Sequence, residues 1–467
     1  MHDDSDIRTS GAPSERVMPI DRSFRTHAHR HGGKGETQLI MASLSEAVEM
    51  EALNNLKELP YYRTATRIPQ YLTLRKVGIS VMEARSDFQA RIEDYLKHLR
   101  GSQIHDYSFL NGKWADFNQW KVMARSKFFQ LANYFPREAP LDAIVLEVKE
   151  RKGYRQEEAE FNTGEKIRVR CSVLVPDSGK QVYPAVIALH DHGGFYFFGR
   201  EKLIETAGEP GILTRFKEEA YEGRSWASEL ARRGYLVLCI DAFYFGTRKP
   251  AFEIYKDEDL PGKFRLDSLK NLEYGTDEYI EEYNRLCWLY EEYMVRDIMV
   301  SGTTWPGILF HDDRKSIDYL LSRNDVNREC IGCCGLSTGG LRSVHLAGLD
   351  SRIKASVVAG WMVPFQSLLL EKCREHTFMA YVPNITSYMD IPDIAGMTAP
   401  NPMLVQQCSQ DSLFTTEGMR TACNKIDSIY NKLGCADRFM YKFYDNRHQF
   451  NIIMQEDAFG WFDRWLK

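Results

Sequence analysis

Cys330-Ile331-Gly332-Cys333-Cys334-Gly335-Leu336-Ser337-Thr338-Gly339-Gly340 runs directly into Leu341-Arg342-Ser343-Val344-His345-Leu346-Ala347-Gly348-Leu349. The opening run is short, apolar and glycine-bounded, the pattern of a strand buried on both faces, and the closing run reads as a helix. Between them Gly335-Leu336-Ser337-Thr338-Gly339 has G-x-S-x-G spacing. A serine at the tip of a strand-to-helix turn needs small neighbours, because the two backbones must approach closely there. Such a turn lifts Ser337 to the edge of a sheet. It also aims the helix N-terminus and the Thr338 amide at the same point, which supplies half of an oxyanion site.

A serine hydroxyl is a weak nucleophile until a base takes its proton, so a histidine must reach Ser337 from another loop. His448, in Tyr444-Asp445-Asn446-Arg447-His448-Gln449-Phe450-Asn451, follows the last strand-like run and precedes a closing helix. His345 belongs to the helix after Ser337, and His98 and His105 lie in a helical region far upstream. A carboxylate should orient the base, and Asp411 follows the apolar run Pro402-Met403-Leu404-Val405-Gln406-Gln407-Cys408. Asp390 and Asp393 precede that run and so fall at its wrong end. Asp445 sits close to His448 and can instead cap its own loop. The order serine, aspartate, histidine puts the nucleophile first.

The second half of an oxyanion site is expected in Leu189-His190-Asp191-His192-Gly193-Gly194, where paired glycines let amides point inward. His192 and Gly193 are the candidate donors. His190 and His192 flank Asp191, but no third ligand accompanies them, so neither a metal nor another cofactor is expected. The neighbouring Cys333 and Cys334 lack CxxC spacing and read as core packing.

Around this centre, Pro184 to His190, Tyr235 to Phe243, Lys354 to Trp361 and Phe439 to Asp445 are further apolar runs separated by helical stretches. Such alternation implies a mainly parallel sheet with helices on both faces. Ala143 to Glu150 and Lys166 to Pro176 alternate like half-buried strands. Residues 1–40 read as a disordered polar tail, in which His27, His29 and His31 are its most metal-like feature, and Met41 opens a more regular sequence. Residues 41–138 read as a helical N-terminal region with helices over Glu46 to Leu56, Arg75 to Leu99 and Phe117 to Phe135, and residues 139–467 as the catalytic domain. About 249–300 is an insertion, helical around Asp277 to Asp297, laid over the sheet's C-terminal edge.

The 467 residues are 43% hydrophobic, enough for a large core, with a formal charge of -5 that leaves no basic face for a nucleic acid. No run of about 18 apolar residues would span a membrane. Without a signal peptide pattern, a cytoplasmic location is expected, with the ten cysteines reduced. A homo-oligomer is left open.

His190 to Gly194, Asp241-Ala242-Phe243-Tyr244-Phe245-Gly246-Thr247-Arg248, Gly335 to Gly340, Gln410 to Phe414 and Arg447 to Phe450 together resemble the α/β-hydrolase superfamily, in its dienelactone hydrolase and acetyl xylan esterase-like branch. The resemblance covers roughly Asp142 to the C-terminus. It implies an α/β-hydrolase fold and a serine hydrolase with an acyl-enzyme intermediate. Asp241 and Arg248 are then structural or substrate-wall residues. Serine in place of the cysteine of dienelactone hydrolases, and the added helical N-terminus, shift the expected substrate from lactones to small-molecule or carbohydrate esters, acetyl esters first. Peptide, amide or C–C bond cleavage by the same triad is the alternative, and a non-catalytic scaffold a further one. Trp305, His376 and Phe378 fall in expected substrate-facing segments and carry no assigned role.

Overall fold

Leu236–Ile240, Ala355–Ala359 and Met403–Cys408 are buried at every position, as strands covered on both faces must be. They belong to a computed structural model that describes residues 92–467 apart from 104, 257, 259 and 263. The polar tail, the Glu46 to Leu56 helix and the part of the Arg75 to Leu99 helix before residue 92 lie outside the described residues. Residues 92–101 are helical.

Among the described residues the strands are β1 (Ile144–Arg151), β2 (Tyr154–Gly164), β3 (Ile167–Pro176), β4 (Tyr183–Leu189), β5 (Leu236–Ile240), β6 (Val326–Leu336), β7 (Ala355–Ala359), β8 (Met403–Cys408) and β9 (Phe439–Tyr444). They form one sheet in the order β1-β2-β3-β5-β4-β6-β7-β8-β9. The pairings from β1 to β3, and of β3 with β5, are antiparallel, and all the rest are parallel. β2 is absent from the sequence reading. Its residues Gln156-Glu157-Glu158 show no apolar alternation, and their burial depends on distant arginines: Arg323 Nη1 reaches Glu157 at 2.7 Å and Arg200 Nη2 reaches Glu158 at 3.0 Å.

The helices that matter for the site are α1 (Phe117–Ala132), α2 (Gly211–Tyr221), α3 (Trp226–Arg232), α4 (Asp277–Val300), α5 (Trp305–Ser322), α6 (Thr338–Leu349), α7 (Thr416–Lys432) and α8 (Ile452–Leu466). The period-2 geometry of a strand sends alternate residues to opposite faces. Leu236, Leu238 and Ile240 join one core with Leu341 and Val344 of α6. Val237 and Cys239 join another with Trp226 and Leu230 of α3 and Phe462 and Leu466 of α8. Helices therefore cover both faces of the mixed sheet. No helix among the described residues is long and apolar enough to cross a membrane.

α1 stops at Ala132, three residues before the expected end. Asn133 turns left-handed at φ 46°, its amide caps Phe129 O, and Pro136 follows. α4, the insertion helix, starts where the Thr276 side chain accepts the Tyr279 amide, with Asp277 and Glu278 in its first turn favouring the positive end of the helix dipole. Tyr279, Tyr283, Leu286 and Tyr290 return every three or four residues to form its buried stripe.

α6 is buried along its whole length, which makes its one imidazole a sensor of acid. His345 stacks on Phe310 at 3.9 Å between ring centroids. Its Nδ1–H donates to Leu341 O at 2.8 Å, and its Nε2 has no hydrogen-bond partner among the described residues. Burial lowers its pKa from 6.5 to about 4. Because the folded value lies below the unfolded one, the stability this ring permits is complete above pH 6.5 and is lost as pH falls from 6.5 toward 4. His345 alone accounts for about 3 kcal/mol of that loss. Acid titration of the unfolding free energy should therefore show a shallower decline over that range in His345→Leu than in the unchanged protein. An identical slope in both would contradict the buried-neutral assignment.

Candidate active site

β6 ends at Leu336 and α6 begins at Thr338, leaving Ser337 alone between them at φ 58°, ψ -123°. This backbone is rare and strained for a residue with a side chain. It is held by the Ser337 amide, which donates to Ala359 O on β7 at 2.9 Å, and by Gly339, where an added Cβ would lie 2.0 Å from Leu189 O of β4. Thr304 and Thr415 turn their hydroxyls back to cap α5 and α7. Ser337 occupies the same position on α6 and makes no such cap bond, so its hydroxyl is spare.

The loops after β8 and β9 are sewn together beside it. The Ser409 amide donates to Tyr444 O at 2.8 Å, the Gln410 amide to Asn446 O at 3.0 Å, and Gln410 Nε2 to Asp445 Oδ1 at 2.9 Å. Those bonds bring Asp411 to His448. His448 Nδ1 lies 2.6 Å from Asp411 Oδ2, while Asp411 Oδ1 accepts the Leu413 amide at 2.9 Å. With a carboxylate as its partner Nδ1 carries the proton, so Nε2 presents a lone pair. That nitrogen is buried and has no hydrogen-bond partner among the described residues. Ser337 and His448 line one cavity of about 440 Å³.

The other carboxylates weighed from the sequence do different work. Asp390 and Asp393 form a capping box at the start of a short helix, Ile391–Gly396, and Asp393 also pairs with Lys425 at 2.7 Å. Asp445 ties down Ser409 and Gln410. Asp241 is fully buried and accepts from the Arg200 and Thr247 amides at 2.9 and 3.0 Å. Arg248 pairs with Asp312 at 2.7 Å. Both of these hold the frame, and neither lines the cavity.

His192, Gly193 and Thr338, the candidate oxyanion donors, line the cavity. The His192 and Gly193 amides have no hydrogen-bond partner among the described residues. Gly193 has φ 56°, and a Cβ there would lie 2.6 Å from Asp191 Oδ2 and from the Phe216 ring, so only glycine fits. The Gly194 amide is spent on His192 Nδ1 at 3.0 Å. That bond leaves the proton on His192 Nε2, which donates to Glu291 Oε1 at 3.0 Å. His190 is likewise fully used: Nδ1–H donates to Asp191 O at 2.9 Å and Nε2 accepts the Ala242 amide at 3.1 Å. Burial holds its pKa well below the usual value. Neither imidazole has a nitrogen left for a metal.

One residue near the cavity went unread in the sequence, and another was placed in a substrate-facing segment without a role. Glu291, on α4, also accepts from Tyr196 Oη at 2.9 Å and from Thr377 Oγ1 at 2.9 and 3.0 Å, joining the insertion to the His192 turn and to the loop after β7. Its only sequence signal is its place one turn beyond Trp288, which lines the cavity. His376, left without a role, also lines the cavity and stacks on Phe414 at 4.9 Å. Burial lowers its pKa to about 4, so it is neutral there near pH 7. Trp305 is core, packed edge-on against Tyr244 at 5.0 Å, and Phe378 is exposed.

The Abhydrolase family model matches residues 89–446, more than half of the chain. The chain belongs to the Abhydrolase family. This Abhydrolase-family chain is 26% identical over 345 residues to a Bacillus subtilis (strain 168) protein named "Putative hydrolase YtaP", covering 73% of this chain and 98% of that one. Among solved structures it is similar to a Bacteroides fragilis protein described as a "putative acetyl xylan esterase", with TM-score 0.57 and 16% identity over 75% of this chain and 81% of the other. A glucuronoyl esterase from Solibacter usitatus superposes with TM-score 0.51 and 12% identity over 78% and 97%. These superpositions establish the shared α/β-hydrolase fold.

Proposed function

We propose that this chain is a serine esterase that cleaves small-acyl esters of carbohydrates, acetyl esters foremost, through an acyl-enzyme. Ser337 Oγ attacks the ester carbonyl as His448 Nε2 takes its proton, and Asp411 stabilises the resulting imidazolium. The amides of His192, Gly193 and Thr338 receive the oxyanion. His448 then hands the proton to the departing alkoxide oxygen. A water, deprotonated by the same nitrogen, releases the acid and restores Ser337. The observation that carries this reading is the 2.6 Å bond between His448 Nδ1 and Asp411, which leaves Nε2 unpartnered in the cavity that Ser337 also lines.

The cavity's chemistry supports a sugar alcohol. Trp288 is 44% exposed there, and Trp361 and His376 add aromatic surface. Gln410, Glu219 and Arg447 bring polar groups to the same lining. Flat apolar faces beside donors and acceptors suit a pyranose, which has C–H faces and a hydroxyl rim. Two structural neighbours, described as a putative acetyl xylan esterase and a glucuronoyl esterase, are both named for carbohydrate esters and support that broader class, the first of them an acetyl ester in particular.

A screen of acetylated sugars, 4-nitrophenyl acetate, anilides and β-diketones, with Ser337→Ala as blank, tests the assignment. Ester turnover should dominate, with acetylated sugars exceeding the nitrophenyl ester in kcat/KM. Preferential cleavage of amides or diketones would replace the ester reading, and no turnover of any compound would leave a scaffold.

A further inference from the structure

We infer that Lys202, which does not line the cavity, is a positioning residue that aims and polarises the two oxyanion amides of the His192 turn. The inference rests on the esterase reading above.

Lys202 ends a single turn of 3-10 helix, Arg200–Lys202, and is completely buried. Its Nζ donates to Asp191 O at 2.9 Å and to His192 O at 3.0 Å. Its countercharge is Asp191 Oδ2, at 3.8 Å. Three rings also pack around it, with Nζ 5.0 Å from the Phe245 ring centroid, 5.2 Å from Phe216 and 5.8 Å from Phe195, and Glu201, Asp241 and Arg342 act on it electrostatically. Taking an ammonium out of water is costly, and two neutral carbonyls with one carboxylate beyond hydrogen-bond range offset that cost incompletely. Burial accordingly lowers its pKa to about 8 against the pull of Asp191. Such an expense in the core asks for a function.

Peptide geometry supplies one. In a trans peptide the carbonyl and the following N–H point in opposite directions. Drawing Asp191 O to Lys202 turns the His192 N–H away from the lysine, and drawing His192 O does the same for the Gly193 N–H. Two consecutive amides then point the same way, and these are the two that lack partners beside the cavity. Arg342 Nη1 reaches His190 O at 3.4 Å, and the Phe195 amide also donates to His192 O at 3.0 Å. The carbonyls of His190, Asp191 and His192 are thus all engaged by protein donors, with Lys202 on two of the three. A hydrogen bond accepted by a carbonyl also strengthens its own peptide's N–H as a donor, an effect that grows in a low-dielectric interior. Lys202 therefore does for the amides of this turn what Asp411 does for His448.

The test is Lys202→Met, of similar shape without the donor, with rates normalised to active sites titrated by a fluorophosphonate. The expected result is a fall in kcat on 4-nitrophenyl acetate of about tenfold to a hundredfold. Inhibition by phenylboronic acid, whose serine adduct is tetrahedral and anionic, should weaken by a similar factor. KM should move by less than about threefold, because the loss is confined to charge that develops in the transition state. Lys202→Gln keeps N–H donors and should recover part of both losses. It carries the test if the methionine protein does not fold, with a weakening of boronate affinity still expected and none overturning the proposal. Tyr221→Phe is the control for general loosening, since Tyr221 Oη bonds the Asp191 side chain and neither carbonyl. It should lower thermal stability and leave the ratio of boronate affinity to KM intact. Unchanged kcat and boronate affinity in Lys202→Met, or an equal loss in Tyr221→Phe, would overturn the inference. A wild-type protein with no ester turnover and no labelling would instead defeat the esterase reading itself.

Discussion

Ser337→Ala is expected to lower kcat for ester hydrolysis by about 10⁶-fold, to abolish fluorophosphonate labelling, and to leave the melting temperature within about 2 °C of the parent. The size follows from what disappears. Without Oγ no acyl-enzyme forms, and the remaining catalysis is what the oxyanion amides and substrate binding supply. The unchanged stability follows from what was never there: the hydroxyl caps nothing on α6, so alanine forfeits no hydrogen bond and inherits the same strained φ of 58°. The Ser337→Ala, His448→Ala double variant should be no slower than Ser337→Ala alone, because a base with no nucleophile to activate contributes nothing further. Stopped-flow and steady-state rates on 4-nitrophenyl acetate decide both points. Labelling that survives in Ser337→Ala would move the nucleophile elsewhere.

What could be read before the structure was local, and what could not was long-range. The turn at Ser337 is legible because its constraint lies within five residues: small residues either side of a serine, an apolar strand before and a helix after. His448 and Asp411 are legible because each follows a short apolar run whose order along the chain sets the edge of the sheet at which its loop emerges. β2 is invisible because its glutamates are buried by Arg200 and Arg323, dozens to more than a hundred residues downstream. No periodicity in the strand announces partners that distant. Glu291 and Lys202 fail for the same reason. Each is an ordinary charged residue in its own segment, and acquires meaning only when α4 and the turn before α2 fold against His192. Asp390 and Asp393 could be set aside from chain order, yet their actual work, capping one short helix, depends on three-dimensional closure of the loop after β7.

Asp411→Asn is expected to cost about 10⁴-fold in kcat, although the substitution changes neither size nor shape. The reason lies in how the carboxylate is shared. Asp411 Oδ1 accepts the Leu413 amide at 2.9 Å and Oδ2 faces His448 Nδ1 at 2.6 Å. An asparagine can keep the first bond only by turning its carbonyl oxygen to Leu413, which points its NH₂ at His448. Nδ1 must then accept, and the ring's proton moves to Nε2, where the base needs its lone pair. The same substitution removes the negative charge that stabilises the imidazolium. Asp411→Ala loses that charge without enforcing the wrong tautomer, so it should be no slower than Asp411→Asn despite being the more drastic truncation. Nitrogen-15 shifts of the His448 ring provide an independent reading: Nδ1 should be the protonated nitrogen in the parent protein and Nε2 in Asp411→Asn. If Asp411→Asn kept more than about a tenth of the parental kcat, or left the proton on Nδ1, Asp411 would not be the residue that orients the base, whatever the distance between them.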